Sequence, residues 1–386
     1  MTDPLQFQIK WLARLVAFDT TSALSNLALI EDIEGWLTQH DVSCKRVPNA
    51  DGTKANLYAV VGPHVEGGVV LSGHTDVVPV EGQDWATDPF TLSEKDELFF
   101  GRGTCDMKAF SAIGLSLVPE MLSARLKRPI IFALSYDEEI GCLGAPDMIE
   151  QIIAHVPRPA AVIVGEPTLM KVVDGHKGIA SFDVNVTGFT THSSQTDRGV
   201  SAVMMAARLI TWIEREATRL SNMPPAKGGF QPAYSTMTVN VVQGGTQLNI
   251  MAAACSFQFD LRTVPDDDPA DILARFKAYA DEVRREMQAR NGACDIEIIQ
   301  MTNAPSLRPQ DKNAAADLCK SITGHNHLEV VSYAAEAGQF QGAGLDTVIC
   351  GPGSIDQAHQ ANEYIARSEL AAGTAFMRKL IKRLSE

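Results

Sequence analysis

The sequence predicts an α/β fold interrupted by a smaller α+β domain of ferredoxin-like order. Three observations lead there. Short, wholly apolar runs bounded by Gly, Pro or charged residues recur through the first 165 residues, the pattern changes to strict alternation between about residues 177 and 300, and helix and buried-strand patterns return afterwards. At 386 residues the chain is long enough for two domains of roughly 150 residues or more each.

Residues 7–18 and 29–39 carry apolar positions at helical spacing, among them Phe7, Trp11 and Leu15, then Leu29, Ile33, Trp36 and Leu37. The runs 56–61, 69–71, 130–134 and 161–164 read as buried strands of a central sheet. Beyond Lys177, Ser181, Asp183, Asn185 and Thr187 alternate with Phe182, Val184 and Val186, the mark of a strand with one wet face, and residues 236–242, 254–261 and 295–300 repeat it. Helical patterns at 200–217 and 270–290 lie between these strands, which completes a β-α-β-β-α-β order over 177–301. Residues 313–322 and 368–384 then read as helices and 347–350 as a last buried strand. The expected organisation is one domain built from residues 1–176 and 302–386, with a second domain, 177–301, inserted.

Composition excludes several classes. Hydrophobic residues make up 45% and charged residues 21%, which fits a globular protein, and no apolar stretch is long enough to span a bilayer. A formal net charge of −14 repels phosphate backbones and anionic lipid, so neither nucleic acid nor a membrane is expected as a partner. Asp3, Lys10 and Arg14 fall where a signal peptide would be apolar, so a cytoplasmic location is expected. Seven scattered cysteines without a CxxC pair point to neither a disulfide framework nor a thiolate metal site.

The chemistry-bearing residues cluster at the ends of the buried runs. In VVLSGHTDVVP, His74 and Asp76 are two apart and share one side of an extended chain, a spacing that lets a carboxylate steady a ligating imidazole. In LFFGRGTCDMKAF, Asp106 follows a Gly-rich turn and precedes a helical pattern, where it could also serve as a plain N-cap. The run IIFALSYDEEIG ends in Asp137, Glu138 and Glu139, which is either a solvated acidic loop or carboxylates neutralised by cations. AAVIVGEPT delivers Glu166 at a strand end, and GPGSIDQAHQANEY places His359 after another buried strand. Each has an ordinary structural reading. Their convergence on one set of strand ends does not, and a mixed His and carboxylate set suits zinc or cobalt.

These motifs, SGHTDVVP, GRGTCDMKAF, DEEIG, VGEPT and GPGSIDQAHQANEY, resemble in order and separation those of the aminoacylase and carboxypeptidase G-like dinuclear zinc hydrolases, over nearly the whole chain. Through YAAEAGQFQGAG and CGPGSIDQAHQANEY the chain looks most similar to the acetylornithine deacetylase branch. The resemblance implies a mixed-sheet, zinc-peptidase-like catalytic domain carrying a lid and dimerisation domain, and a homodimer. It implies two Zn2+ ions, with Co2+ a substitute, one held by His74, Asp106 and Glu166 and the other by Asp106, Glu139 and His359. Asp76 would orient His74, and Glu138 would be the general base. The peptide bond after Asp106 would be cis. His192, in TGFTTHSSQTDRG, would reach the oxyanion, Arg262 and Asn249 would bind the substrate carboxylate, and Glu336 would face the cationic end of an ornithine side chain. The implied reaction is removal of an acyl group from an N-acyl amino acid, with N2-acetyl-L-ornithine first, and N-succinyl-diaminopimelate or a dipeptide as alternatives. A non-catalytic binding protein on the same fold would be expected to lack Glu138.

Overall fold

The protein is described here from a computed structural model covering residues 3–386. In chain order, α1 (Gln6–Val16) and α2 (Leu27–Gln39) precede β1 (Cys44–Pro48), β2 (Ala55–Val61) and β3 (Val69–His74). A hairpin of β4 (Ser93–Lys95) and β5 (Leu98–Phe100) leads to α3 (Lys108–Ser116), α4 (Val118–Ser123), β6 (Ile130–Ser135), α5 (Ala145–His155), β7 (Ala161–Pro167) and β8 (Val172–His176). Next come β9 (Gly178–Thr187), α6 (Ala202–Ser221), β10 (Thr236–Gly244), β11 (Ala254–Thr263), α7 (Pro269–Arg290) and β12 (Asp295–Ala304). The chain closes with α8 (Ala314–Thr323), β13 (Leu328–Val331), α9 (Ala337–Gly342), β14 (Thr347–Gly351), β15 (Tyr364–Ala366) and α10 (Arg367–Ser385).

Two compact units result. The first runs to Gly175 and resumes over Leu307–Val330 and Ala335–Glu386, and the second comprises His176–Ser306 with Val331–Ala334. In the first, eight strands form one mixed sheet in the order β1-β2-β6-β3-β7-β14-β8-β13. β3 pairs in parallel with both β6 and β7, and β7 pairs in parallel with β14, so the carboxyl ends of four buried strands line one edge. These strands are buried along their whole length because helices cover them, which is why their sequences show apolar runs and not alternation. Leu12, Leu15, Ile30, Ile33, Leu71, Phe132 and Ile163 belong to that core, each nearly or wholly shut off from solvent and stabilising by about 1.5–3 kcal/mol.

The second unit is a four-stranded antiparallel sheet, β10-β11-β9-β12, with one face packed on α6 and α7. Phe182 stacks on Phe259 at 4.7 Å, and Phe259 meets Phe276 edge-on at 5.0 Å. Helix starts are set by side chains: Ser201 accepts from the Met204 amide, and Asp268 accepts from the Ala270 amide ahead of a first-turn proline. β12 runs to Ala304, beyond the expected end at residue 300. A bulge between Gln300 and Thr302 resets the alternation there, so the period breaks while the pairing to β9 continues.

One close approach sets the geometry of the strand-end edge. A Cβ added at Gly165 would lie 2.1 Å from the Phe110 ring of α3, and one at Gly351 would lie 2.0 Å from the Gly165 carbonyl oxygen. Helix α3, which begins two residues after Asp106, is therefore pressed directly onto β7 one residue before Glu166. Gly165→Ala should destabilise the protein by about 1–3 kcal/mol, the usual cost of overpacking a filled core, read as a lower denaturant midpoint. An unchanged midpoint would mean that α3 can move away from the strand freely.

Candidate metal centre

Six side chains meet at the strand-end edge of the first unit. His74 ends β3 and Glu166 lies near the end of β7, while Glu138 and Glu139 sit in the loop after β6 and His359 in the loop after β14. Asp106 lies two residues ahead of α3, whose N-cap is Met107 with no side-chain cap bond, so Asp106 is not spent as a cap. The Asp106–Met107 peptide bond is cis.

Asp106 stands between the two histidines and gives each a different oxygen. Its Oδ1 is 3.0 Å from His74 Nε2, and its Oδ2 is 3.2 Å from His359 Nε2. On one side Glu166 Oε1 lies 3.8 Å from the same His74 nitrogen, and on the other Glu139 Oε2 lies 2.9 Å from His359 Nε2. Potential ligand atoms of His74, Asp106 and Glu139 fall within 4.8 Å of one another, as do those of His74, Glu138 and Glu166. His74, Asp106 and Glu166 are buried, whereas the His359 side chain is about half exposed.

The electrostatics call for added positive charge. Burial pushes Glu138 and Glu166 well above the ordinary carboxylate range, and neighbouring carboxylates add to that rise against the opposing pull of His74. Glu139 is pushed up to about 7, by burial and then by Asp106. Asp106 goes the other way: burial would raise it, but the bonds from His359 and His74 outweigh burial and hold it low. His359 is pushed up to about 10 by its bonds to Asp106 and Glu139. Four carboxylates around two imidazoles, all oxygen and nitrogen donors and one of them facing both ways, fit a pair of borderline divalent cations.

The supporting bonds refine one expectation. The carboxylate of Asp76 does not hold the His74 ring; its backbone carbonyl does, 2.9 Å from Nδ1, while the nearer carboxylate oxygen is 3.6 Å away. That carboxylate instead accepts from the amides of Glu138 and Glu139, each at 3.2 Å, and from Ser22 Oγ at 2.7 Å. Asp76 thus steadies the imidazole with its main chain and the acidic loop with its side chain. The triple acid is also divided: Asp137 turns away to pair with Lys54, leaving Glu138 and Glu139 to the centre. The Cys142 thiol donates to Glu138 Oε1 at 3.3 Å, and the amides of Gly141 and Cys142 close the loop on the Glu138 carbonyl.

Four further expected residues are not among these six side chains. Glu336 is buried, with Oε2 3.3 Å from Ser72 Oγ of β3. It raises the proton affinity of Glu138 beside it. His192, Asn249 and Arg262 belong to the second unit. His192 and Asn249 are neighbours on two facing loops: the Ser193 amide donates to the Asn249 carbonyl at 3.0 Å, and the exposed His192 ring bonds Ser194 Oγ at 2.8 Å. Arg262, on β11, donates to Asp260 at 3.0 Å. Sequence reasoning missed Ser22, Cys142, Arg102 and Glu363. The last two lie inside quoted motifs, and only the fold reveals what they touch.

The matching family model covers residues 70–383 and describes peptidase family M20/M25/M40. The chain belongs to that family. It is 32% identical to the acetylornithine deacetylase of Myxococcus xanthus, over 99% of this chain and 98% of that one. It is 30% identical to the acetylornithine deacetylase of Pasteurella multocida, over 97% of each. Among solved structures, an M20 family metallo-carboxypeptidase of Sulfolobus solfataricus aligns with a TM-score of 0.78 at 17% identity, over 98% of this chain and 99% of that one. The protein is accordingly a metal-dependent amide hydrolase, and among its described residues no helix is long and apolar enough to cross a membrane.

Asp76→Asn keeps the backbone carbonyl on His74 but replaces one of two acceptor oxygens by a donor facing the acidic loop. Turnover should fall about 10- to 100-fold while the cation beside His74 stays bound. Loss of that cation on dialysis would return the imidazole-holding role to the carboxylate.

Proposed function

We propose that the protein hydrolyses N2-acetyl-L-ornithine to L-ornithine and acetate, with two zinc ions, a step of arginine biosynthesis. The observation that carries the reading is the bridging posture of Asp106, one oxygen to each histidine, in a chain whose near full-length relatives include acetylornithine deacetylases. His74, Asp106 and Glu166 would hold one ion and Asp106, Glu139 and His359 the other, and cobalt would substitute. When bound, the ions would lower the pKa of a water to about 7 and polarise the amide carbonyl.

The chain's own groups do the rest. Glu138 stands partly buried beside His74 but is not needed as a ligand, and its raised proton affinity suits it to take a proton from the attacking water. It would hold that proton until the C–N bond breaks and then give it to the leaving nitrogen; the hydroxyl left on the carbon gives up the water's second proton, so the products are a carboxylate and a protonated amine. In this reading His192 donates to the developing oxyanion, and Arg262 and Asn249 hold the carboxylate of the amino acid, for which a planar guanidinium offers two parallel donors. The second unit would serve as lid and as the interface of a homodimer. Glu336, fully enclosed, fits an electrostatic role behind Glu138 better than direct contact with an ornithine ammonium.

Two measurements test this. Metal-stripped protein reloaded with zinc or cobalt should cleave N2-acetyl-L-ornithine in preference to N-succinyl-diaminopimelate. The reverse preference would keep the chemistry and replace the substrate, and inactivity on both would reject the named substrates. Glu138→Ala should lower kcat by about 10²- to 10⁴-fold, the range for a lost general base, with the metal content of the wild type. Retained turnover would refute the role of Glu138.

A further inference from the structure

We propose that Gln83, Arg102 and Glu363 form a positioning network that sets how tightly the centre holds its cations, Glu363 by clamping the Asp106 loop and Gln83 by fixing the His359 main chain. The inference rests on the metal reading of the six-residue cluster.

Glu363 is fully enclosed, and both of its oxygens are used twice. Oε1 accepts from the amides of Cys105 at 2.7 Å and Asp106 at 3.0 Å, and Oε2 accepts from the Gly103 amide at 2.9 Å and Arg102 Nη1 at 2.8 Å. Four bonds use up the acceptor capacity of a carboxylate. Three of them come from main-chain amides of the segment 103–106, one from the Asp106 amide itself, so the direction in which the bridging side chain leaves the main chain is set by Glu363.

The other two members carry the constraint to His359. Arg102 reaches from Glu363 to Gln83, with Nη2 2.5 Å from Gln83 Oε1, and Gln83 Nε2 in turn donates to the His359 carbonyl at 2.9 Å. His359 has φ +62° and Asn362 has φ +58°, left-handed conformations that a non-glycine residue keeps only when its surroundings hold it. Asn362 supplies part of that hold through the Ala86 amide at 2.7 Å and the Asp84 carbonyl at 3.2 Å. Segments 83–86, 102–106 and 359–363 are therefore one hydrogen-bonded unit that carries two of the five ligands. His74 and Glu166 stand on sheet strands and need no such help.

The asymmetry makes the test selective. Metal-free protein is titrated with Co2+ by calorimetry, alongside His359→Ala, which marks the cation that His359 binds. Gln83→Ala should weaken that same cation about 10- to 100-fold, the usual effect of losing an outer-shell partner, and leave the other unchanged. Glu363→Gln, which turns a donor against the loop amides, should weaken both, because Asp106 serves both. Far-UV spectra and melting of the metal-free variants show whether each folds; should Glu363→Gln fail, Gln83→Ala, whose side chain is partly exposed, decides alone. Folded variants that bind both cations with wild-type affinity overturn the network. Wild-type protein that takes up no Co2+ overturns instead the metal reading on which it rests.

Discussion

Charge concentrated where water is scarce is the constraint on which the rest of the structure depends. Asp106, Glu138, Glu139 and Glu166 occupy one small volume, and carboxylates this close cannot all remain ionised without cations among them. The two imidazoles meet part of that demand, which is why Asp106 is drawn down and His359 up. Such a cluster opposes folding by itself, so the surrounding structure must hold it by force of packing and hydrogen bonds.

That hold comes from two sources of unequal stiffness. β3 and β7 deliver His74 and Glu166 from the middle of an eight-stranded sheet, where the contact of Phe110 with Gly165 leaves no slack. Asp106, Glu139 and His359 come from loops, and each loop is closed by a buried or partly buried polar side chain: Glu363 under Asp106, Asp76 under Glu139, Gln83 under His359. The sheet holds its two side chains rigidly and each loop holds its own through a polar anchor, with the His359 side chain half exposed.

How much of this could be read from the sequence follows the same division. A run of apolar residues ending in an acid or a histidine is a local signal, so β3, β6, β7 and β14 and the residues they deliver were legible. Alternation was equally legible in the second unit until the bulge in β12 broke it. Arg102, Glu363 and Ser22 carry no local signal. Their meaning lies in partners 19 to 261 residues away, which spacing along the chain cannot supply. Asp76 shows the limit most clearly: the two-residue spacing to His74 located it correctly, but which of its oxygens faces the ring depended on the acidic loop arriving from β6. The strands β4, β5 and β15, three residues each, went unread because their pairing defines them and a period does not.

The long segment of the second unit, His176–Ser306, leaves and rejoins the rest of the chain through β9 and β12, and these two strands are hydrogen-bonded neighbours, with Ile179 opposite Ala304. Its two ends therefore lie about one strand spacing apart, roughly 5 Å. A host polypeptide gains or loses such a module at little cost in loop-closure entropy, because a turn of a few residues spans the same gap.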